Sequence, residues 1–274
     1  MKKIEGLGLI GGGQMAEAIV KGLLDKGIFK PEEILVSEPL DKRREYLKST
    51  YQVMVTDSNT LVLKEKSCVI LAVKPQVMKL VLQEISKEID TNKHLIITIA
   101  AGLPISFYEA LLPEKTRLVR IMPNTCALVH HSISAIAKGS WATEEDLKLA
   151  ETIFSAIGET VILSESLIDA VTALSGSGPA YVSLFIEALI DAGVRIGLPR
   201  DLAEKLALNT VAGTVKLMTQ GKKDPYQLKA MVTSPGGTTI SALEVFYRSG
   251  LPGIIIEGVI KAFERSKELS KLVS

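Results

Sequence analysis

A glycine-rich turn between an apolar strand and an amphipathic helix constrains this chain more than any other feature of its sequence. Residues 8–16 contain the pattern Gly-x-Gly-x-x-Ala as Gly11, Gly13 and Ala16. Gly11 permits a tight turn, Gly13 lets backbone N–H groups approach a pyrophosphate, and Ala16 allows close packing of helix on strand. The helix N-terminus adds positive potential. The pattern predicts a dinucleotide site in a βαβ unit, and a turn without a ligand is the alternative.

The sequence before about residue 164 alternates short apolar strands with amphipathic helices. Alternation of this kind predicts βαβ units, and hence an α/β fold with a doubly wound, mainly parallel sheet. The predicted strands are residues 4–10, 34–36, 52–55, 67–73, 94–99, 118–122, 133–137 and 160–163. The predicted helices are residues 14–26, 42–49 after an Asp41 N-cap, 77–88 and 143–156, with a further helical piece that starts at Asp57 or Ser58.

The second half of the sequence predicts helices only. Strand-like runs end near residue 164, and glycine and proline separate four or five long helical stretches. Residues 180–196 are apolar on almost every side, which is typical of a helix in a large core or an oligomer interface. We therefore predict a Rossmann-type NAD(P)-binding domain over residues 1–164 and an all-helical substrate-binding and dimerisation domain over residues 165–274.

Composition and charge argue against several classes of protein. The 274 residues carry 32 Lys and Arg against 31 Asp and Glu, and a net charge of +1 gives no sign of nucleic-acid binding. Two cysteines and three histidines show no metal-ligand spacing. Apolar runs fall short of the roughly 18 residues of a membrane span, and the first residues do not resemble a secretory signal. We expect a cytoplasmic protein without a metal, a nucleic-acid partner or a membrane partner.

The choice between NAD and NADP depends on the residues after the second predicted strand. Glu38 is an acid at the position that bonds a ribose 2′-hydroxyl, which favours NAD. Ser37 can instead donate to a 2′-phosphate, and Arg43 and Arg44 follow at the next helix start, which favours NADP. A solvated helix face is the alternative for both arginines. At this point both NADH and NADPH stay open.

Three loops follow strands of the predicted sheet, at residues 72–76, 100–102 and 122–125. The carboxyl ends of parallel strands meet at one edge of a sheet, which is the ligand side of an open α/β fold. Small residues in the second loop allow a flat ring to lie against the backbone. We predict a nicotinamide pocket here, and an ordinary solvated side chain is the alternative for Lys74.

A second glycine-rich loop lies far from the first, at residues 232–239, and feeds a predicted helix that begins near Thr239. Backbone N–H groups at a helix start favour an anion such as a carboxylate. The Thr239 hydroxyl can hydrogen-bond a polar atom of the same ligand. A helix-capping turn is the alternative, because serine and threonine are ordinary caps.

Taken together, these motifs resemble the pyrroline-5-carboxylate reductase family over nearly the whole chain. The resemblance rests on residues 8–16, 72–75, 168–171, 175–181 and above all 232–239, which follow the family's order and spacing. It implies hydride transfer from NAD(P)H to the C=N bond of 1-pyrroline-5-carboxylate, which gives L-proline in the last step of proline biosynthesis. It also implies a homodimer through the helical domain, which in many members assembles further into a homodecamer.

The resemblance assigns roles to individual residues of this chain. Thr239 is expected to hydrogen-bond near the ring nitrogen as the catalytic residue, and Glu165 to approach the substrate. The expected substrate carboxylate ligands are Ser234, Gly236, Gly237 and Thr238. The expected cofactor-binding residues are Ile10, Gly11, Gly12, Gly13, Gln14 and Met15 at the pyrophosphate, Ser37 and Glu38 at the adenine ribose, Asn59 nearby, and Ala72, Val73, Lys74, Pro75, Ile99, Ala100 and Ala101 at the nicotinamide half.

The chain departs from the family pattern at three positions. Cys126 stands where many members have proline, and Met231 where some have an asparagine that contacts the cofactor. Glu38 replaces a hydroxyl residue that meets the 2′-phosphate in some members, and two adjacent negative charges repel. The usual preference of the family for NADPH is therefore in doubt here.

Two other functions fit parts of the sequence. A dehydrogenase of the β-hydroxyacid type relies on a lysine of its helical domain, and Lys205 and Lys216 are available but lie in no matching motif. A non-catalytic NAD(P)-sensing protein would keep the first glycine loop but has no reason to keep a complete substrate loop. The substrate loop therefore favours the reductase.

Overall fold

The structure is a computed structural model and describes residues 6–271. It divides into two compact units. The sheet unit holds the described residues up to Ser177 and those from Ala262 onward, and the helical unit is Gly178–Lys261. The predicted boundary at residue 164 differs from this division. The reason is that Ile168 is buried in the core of the sheet unit and Asp169 accepts a 2.7 Å hydrogen bond from Ser266.

Eight strands form one sheet in the sheet unit, in the order β3-β2-β1-β4-β5-β6-β7-β8. The strands are β1 Leu7–Ile10, β2 Ile34–Ser37, β3 Met54–Thr56, β4 Cys68–Leu71, β5 Leu95–Thr98, β6 Arg117–Met122, β7 Ser132–Lys138 and β8 Gly158–Ile162. Every pair is parallel except β6 with β7. The chain runs outward from β1 to β3 and then crosses to β4 on the other side of β1. The mainly parallel, doubly wound sheet is confirmed, and the first strand's residues 4 and 5 lie outside the described residues.

Seven α-helices accompany the sheet, and most of them were predicted. They are α1 Gln14–Asp25, α2 Asp41–Tyr51, α3 Asn59–Glu65, α4 Pro75–Ile85, α5 Ile105–Glu109, α6 Glu144–Phe154 and α7 Ile168–Val171. Ser58 caps α3, because its hydroxyl accepts from the Leu61 N–H at 3.2 Å. Asp41 is not an N-cap: Leu40 precedes α2, and Asp41 is the first helical residue, where its carboxylate pairs with Arg44. The short helix α5 was not predicted.

Alternate side chains along each central strand enter two separate apolar cores. In β4, Cys68 and Ile70 belong to one core, and Val69 and Leu71 belong to the other. The first core takes residues from α1 and α6, and the second takes residues from α3, α4 and α5. The apolar sequence of this strand is therefore continuous because helices cover both faces of the sheet.

Five further helices complete the described chain: α8 Gly178–Arg195, α9 Arg200–Gln220, α10 Pro225–Met231, α11 Thr238–Arg248 and α12 Leu251–Lys271. Within Gly178–Lys261 only four residues are buried, namely Gly193, Ala203, Ala207 and Leu228. Large apolar side chains such as Leu184 and Ile196 are 68% and 79% exposed. A single chain therefore leaves the apolar surface of the helical unit uncovered.

Stability should fall as the pH drops below about 6.5, because of one buried histidine. His94 is 2% exposed, its Nδ1 accepts from the Asp90 N–H at 2.8 Å, and its Nε2 lies 2.9 Å from the Leu63 carbonyl oxygen. Burial lowers the pKa of His94 and outweighs the opposing hydrogen bond to Leu63. Below about pH 6.5 the His94 side chain therefore binds a proton more readily in the unfolded chain than in the folded one. The free energy of unfolding should decrease as the pH falls through this range.

Melting temperatures between pH 7.5 and 5.5 test this prediction. We expect the acid-side decrease to be smaller in His94→Gln than in the wild type. His131→Gln is the matched control, since His131 is exposed, and it should keep the wild-type decrease. Equal slopes in the wild type and His94→Gln would show that His94 does not couple folding to protonation.

Candidate cofactor and substrate sites

The first glycine loop is held between the ends of the two strands that flank β1. Gly11 has φ +101°, and its N–H donates to the Ser37 carbonyl oxygen at 2.8 Å. A Cβ at Gly11 would lie 2.8 Å from the Ala72 carbonyl oxygen. Both the backbone angle and the contact with β4 therefore require glycine at this position.

The next two glycines differ in their surroundings. The Gly12 N–H donates to Oε2 of Glu38 at 2.9 Å. Gly13 is exposed, has φ −69°, and precedes α1 without offering a side-chain cap. A Cβ at Gly13 would have no heavy atom within 4 Å. The start of α1 thus combines uncapped N–H groups with open space, and the residues present fit a pyrophosphate.

The loops predicted to flank a nicotinamide follow strands of one parallel set. The Ala72 N–H donates to the Ile10 carbonyl oxygen at 2.8 Å, and the Ile99 N–H donates to the Leu71 carbonyl oxygen at 3.2 Å. Lys74 is exposed and precedes α4. The carboxyl ends of β1, β4 and β5 therefore bring these loops to one edge, beside the switch between β1 and β4 where open α/β sheets bind ligands.

Two predicted ribose-side residues touch each other. The Ser37 hydroxyl donates to Oδ1 of Asn59 at 2.5 Å, and Nδ2 of Asn59 donates to Glu84 at 2.8 Å. Ser37 is buried at the end of β2. The structure thus brings Ser37 and Asn59 together, and their contact with a cofactor stays a prediction.

Cys126, which stands where many family members have proline, makes a hydrogen bond in the loop after β6. Its backbone N–H donates to Oδ1 of Asn124 at 3.2 Å, a bond that proline cannot make. Asn124 also donates through Nδ2 to the Ser175 carbonyl oxygen at 3.1 Å. The departure at Cys126 therefore adds a hydrogen bond within the loop.

Sequence reasoning missed the buried arginine Arg120, which lies on β6 and contacts a predicted substrate residue. Arg120 is 3% exposed, and its Nη1 donates to Oε1 of Glu165 at 2.8 Å. The same carboxylate oxygen accepts from the Ile105 N–H at 2.6 Å. A charged residue between the apolar residues Val119 and Ile121 of a buried strand requires a partner, and this pattern was the signal available in the sequence. The expected approach of Glu165 to substrate stays a prediction beside this structural role.

The variant Glu165→Gln should lower the free energy of unfolding by about 1–2 kcal/mol, because hydrogen bonds to a charged group are stronger than those to a neutral one. The amide oxygen can still accept from Arg120 and Ile105. Chemical denaturation measures the change, and Glu159→Gln, at an exposed position on β8, is the control. An unchanged stability would contradict the structural role, and a raised KM for substrate would support the additional contact.

The second glycine loop has the geometry of an open helix start. Gly236 has φ +65°, and the Gly237 N–H donates to the Ser234 carbonyl oxygen at 3.1 Å. A Cβ at Gly237 would lie 2.3 Å from the Ser234 hydroxyl oxygen. Gly237 precedes the eleven-residue α11 without a side-chain cap, so Thr238 and Thr239 occupy an uncapped first turn. The capping alternative is thereby weakened, because no side chain of the loop bonds these N–H groups.

Two family models each match one part of this chain. The family model of pyrroline-5-carboxylate reductase dimerisation matches residues 165–269. The model of NADP oxidoreductase, coenzyme F420-dependent, matches residues 6–102. The glycine loop therefore falls in an oxidoreductase domain, and the second loop in a dimerisation domain.

One helical run among the described residues is long and apolar enough to cross a membrane, although charged residues interrupt it and no continuous apolar run reaches that length. The run Glu165–Arg195 is long and apolar enough by length and composition, with a mean hydropathy of 1.3 in its best window. A single such helix is weak ground for a span, and this run begins the dimerisation match. The expected absence of a membrane partner stays a prediction.

Relatives over the full length settle the family. A pyrroline-5-carboxylate reductase of Synechocystis is 46% identical over 97% of this chain and 98% of its own. A pyrroline-5-carboxylate reductase of Coxiella burnetii, whose structure is solved, is 34% identical in sequence, with a TM-score of 0.92 over 98% of this chain and 99% of its own. The pyrroline carboxylate reductase of Plasmodium falciparum, solved with NADP bound, is 32% identical, with a TM-score of 0.88 over 98% and 99%. The chain belongs to the pyrroline-5-carboxylate reductase family of NAD(P)H-dependent oxidoreductases, the enzymes that make proline.

Proposed function

We propose that this protein reduces 1-pyrroline-5-carboxylate to L-proline with NADH or NADPH, and that Ser234, Gly236, Gly237, Thr238 and Thr239 hold the substrate. The observation that carries the proposal is the uncapped first turn of α11, which follows a left-handed glycine. An uncapped helix start supplies several N–H donors and the positive end of a helix dipole. A carboxylate is the group of this substrate that such a turn binds best.

Thr239 is the residue we assign to the reacting C=N bond. It is half-buried in the first turn of α11, one position after Thr238. A hydroxyl can accept one hydrogen bond and donate another, so it can orient a protonated ring nitrogen and help to move its proton. A carboxylate held by the neighbouring N–H groups would fix the ring relative to this hydroxyl.

The reaction requires little acid–base catalysis by side chains of the protein. A protonated imine is already electrophilic, and the bound reduced nicotinamide supplies the hydride for its carbon. The protein's contribution is to bind, orient and exclude water. Glycines 11–13 would hold the pyrophosphate, and residues 72–75 and 99–101 would flank the nicotinamide half.

A steady-state assay tests the function. Purified protein is given 1-pyrroline-5-carboxylate, and the oxidation of NADH and NADPH is followed in parallel with the formation of proline. Turnover with either cofactor supports the proposal. Folded protein that binds dinucleotide without turnover would favour a sensor, or a β-hydroxyacid-type dehydrogenase that uses Lys205 or Lys216.

We also propose a homodimer through the helical unit, assembling further to a homodecamer, in the cytoplasm. The dimerisation match and the four buried residues of Gly178–Lys261 support an oligomer. Exposed apolar side chains on α8, α9 and α12 provide the surface that a second copy would cover. Light scattering after size-exclusion chromatography distinguishes a monomer, a dimer and a decamer.

A further inference from the structure

The residue that follows β2 has an acidic side chain fixed beside the first glycine loop. Glu38 is 8% exposed, its Oε2 accepts from the Gly12 N–H at 2.9 Å, and its Oε1 accepts from the Leu40 N–H at 3.1 Å. None of the ion pairs among residues 6–271 involves this carboxylate. An ionised carboxylate has about four lone-pair directions, so each oxygen can accept a further hydrogen bond.

Arg43 and Arg44, the two arginines that could bind a 2′-phosphate, already pair with other groups of the chain. Arg43 donates to Oε2 of Glu17 at 2.5 Å and to the Gly12 carbonyl oxygen at 2.5 Å. Arg44 pairs with Asp41 and donates to the Glu38 carbonyl oxygen at 2.5 Å. Each guanidinium therefore faces a carboxylate that compensates its charge.

The pairing of Arg43 with Glu17 is itself reinforced. Both Tyr46 and Tyr51 donate their hydroxyls to Oε1 of Glu17, at 2.9 and 2.7 Å. Burial raises the pKa of Glu17, but the hydrogen bonds from the two tyrosines and from Arg43 outweigh burial and bring this pKa below its ordinary value. Release of Arg43 toward a phosphate would leave this carboxylate without its cation.

The Ser37 hydroxyl, the third group that could bind a 2′-phosphate, also has a hydrogen-bond partner already. Ser37 is 1% exposed and donates to Oδ1 of Asn59 at 2.5 Å. A hydroxyl has one proton to donate. Binding a phosphate oxygen would therefore break the Ser37–Asn59 bond.

We infer that Glu38 makes this reductase select NADH over NADPH. The carboxylate accepts hydrogen bonds from the adenine ribose hydroxyls of NADH, whereas the 2′-phosphate of NADPH would meet an uncompensated negative charge. The inference rests on the proposed function, since it assigns the cofactor of the same reaction. NADP bound to the Plasmodium falciparum relative shows that the fold admits the phosphate, so the selection lies in this chain's own side chains.

Binding measurements without substrate test the inference. Dissociation constants for NADH and NADPH are obtained from nicotinamide fluorescence for the wild type, Glu38→Gln and Glu45→Gln. Glutamine keeps an oxygen that can accept from the Gly12 N–H but removes the charge. Glu45 is an exposed acid on α2, so its variant controls for the change in net charge. We expect the wild type to bind NADH at least about tenfold more tightly, and Glu38→Gln to reduce that ratio by at least about fivefold.

The outcomes separate the inference from the proposed function. Equal wild-type affinities, or a ratio that Glu38→Gln leaves unchanged, would overturn the selection by Glu38 while the reductase function stands. A ratio that falls as much in Glu45→Gln would also overturn it, because net charge would then explain the preference. Failure of folded protein to bind either dinucleotide would overturn the proposed function and the inference with it.

Discussion

Replacing Gly13 with alanine is expected to weaken dinucleotide binding about 100-fold, which is about 2.7 kcal/mol, without disturbing the fold. The backbone of Gly13 has φ −69°, which alanine adopts freely, and a Cβ there would have no protein atom within 4 Å. The open space is where the pyrophosphate must approach the start of α1. The added methyl group would therefore meet the ligand and not the protein. Dissociation constants for NADH and a melting curve measure the two effects.

Gly27→Ala is the control, and it should have the opposite pattern of effects on NADH affinity and melting temperature. Gly27 follows α1 with φ +64°, also with open space around a Cβ. Alanine there is strained by about 1 kcal/mol, so the melting temperature should fall while the NADH affinity is unchanged. Wild-type affinity in Gly13→Ala would show that the glycine loop does not hold the pyrophosphate.

Much of the sheet unit could be predicted because its signals are local. Continuous apolar strands, glycine-rich turns and amphipathic helices alternate over residues 6–164, and each predicted strand overlaps an observed one. The tight turn predicted at Gly11 is confirmed, since its φ is +101° and a Cβ there would lie 2.8 Å from the Ala72 carbonyl oxygen. Errors at element ends, such as the extension of α2 to Tyr51, arise because helix ends depend on a few weak bonds.

Pairings between distant polar residues could not be predicted. Arg43 and Glu17 are 26 positions apart, and Arg120 and Glu165 are 45 apart. The sequence analysis considered Arg43 and Arg44 as ligands of a 2′-phosphate because of their positive charge. The sequence does not show which acidic side chain each guanidinium contacts. Only the packing of α2 against α1 determines that Arg43 faces Glu17.

The predicted boundary at residue 164 differs from the structural division at Ser177 for a related reason. Helical periodicity shows that a segment is amphipathic but not against which body it packs. Ile168 and Ser266 lie in helical sequence, and both are buried in the sheet unit. The change from strands to helices at residue 164 therefore precedes the structural division at Ser177.

Replacing Thr239 with alanine is expected to lower kcat/KM for 1-pyrroline-5-carboxylate about 100-fold, a loss of about 2.7 kcal/mol of transition-state stabilisation. The hydroxyl stands in the uncapped first turn of α11, beside the N–H groups proposed to hold the carboxylate. Its removal leaves those N–H groups intact, so the ring would still bind but lose orientation and the route for its proton. The loss should therefore appear mainly in kcat, with the dissociation constant for NADH unchanged.

Rescue by serine separates chemistry from structure at this position. Thr239→Ser keeps the hydroxyl and removes only a methyl group, so it should recover most of the lost kcat, whereas Thr239→Val keeps the shape and should not. Because threonine is a poor helix former, alanine is not expected to destabilise α11. A fall in kcat/KM of less than about threefold in Thr239→Ala, under about 1 kcal/mol, would exclude Thr239 from the catalytic role. The carboxylate site could still stand in that case, because its donors belong to the backbone of the same turn.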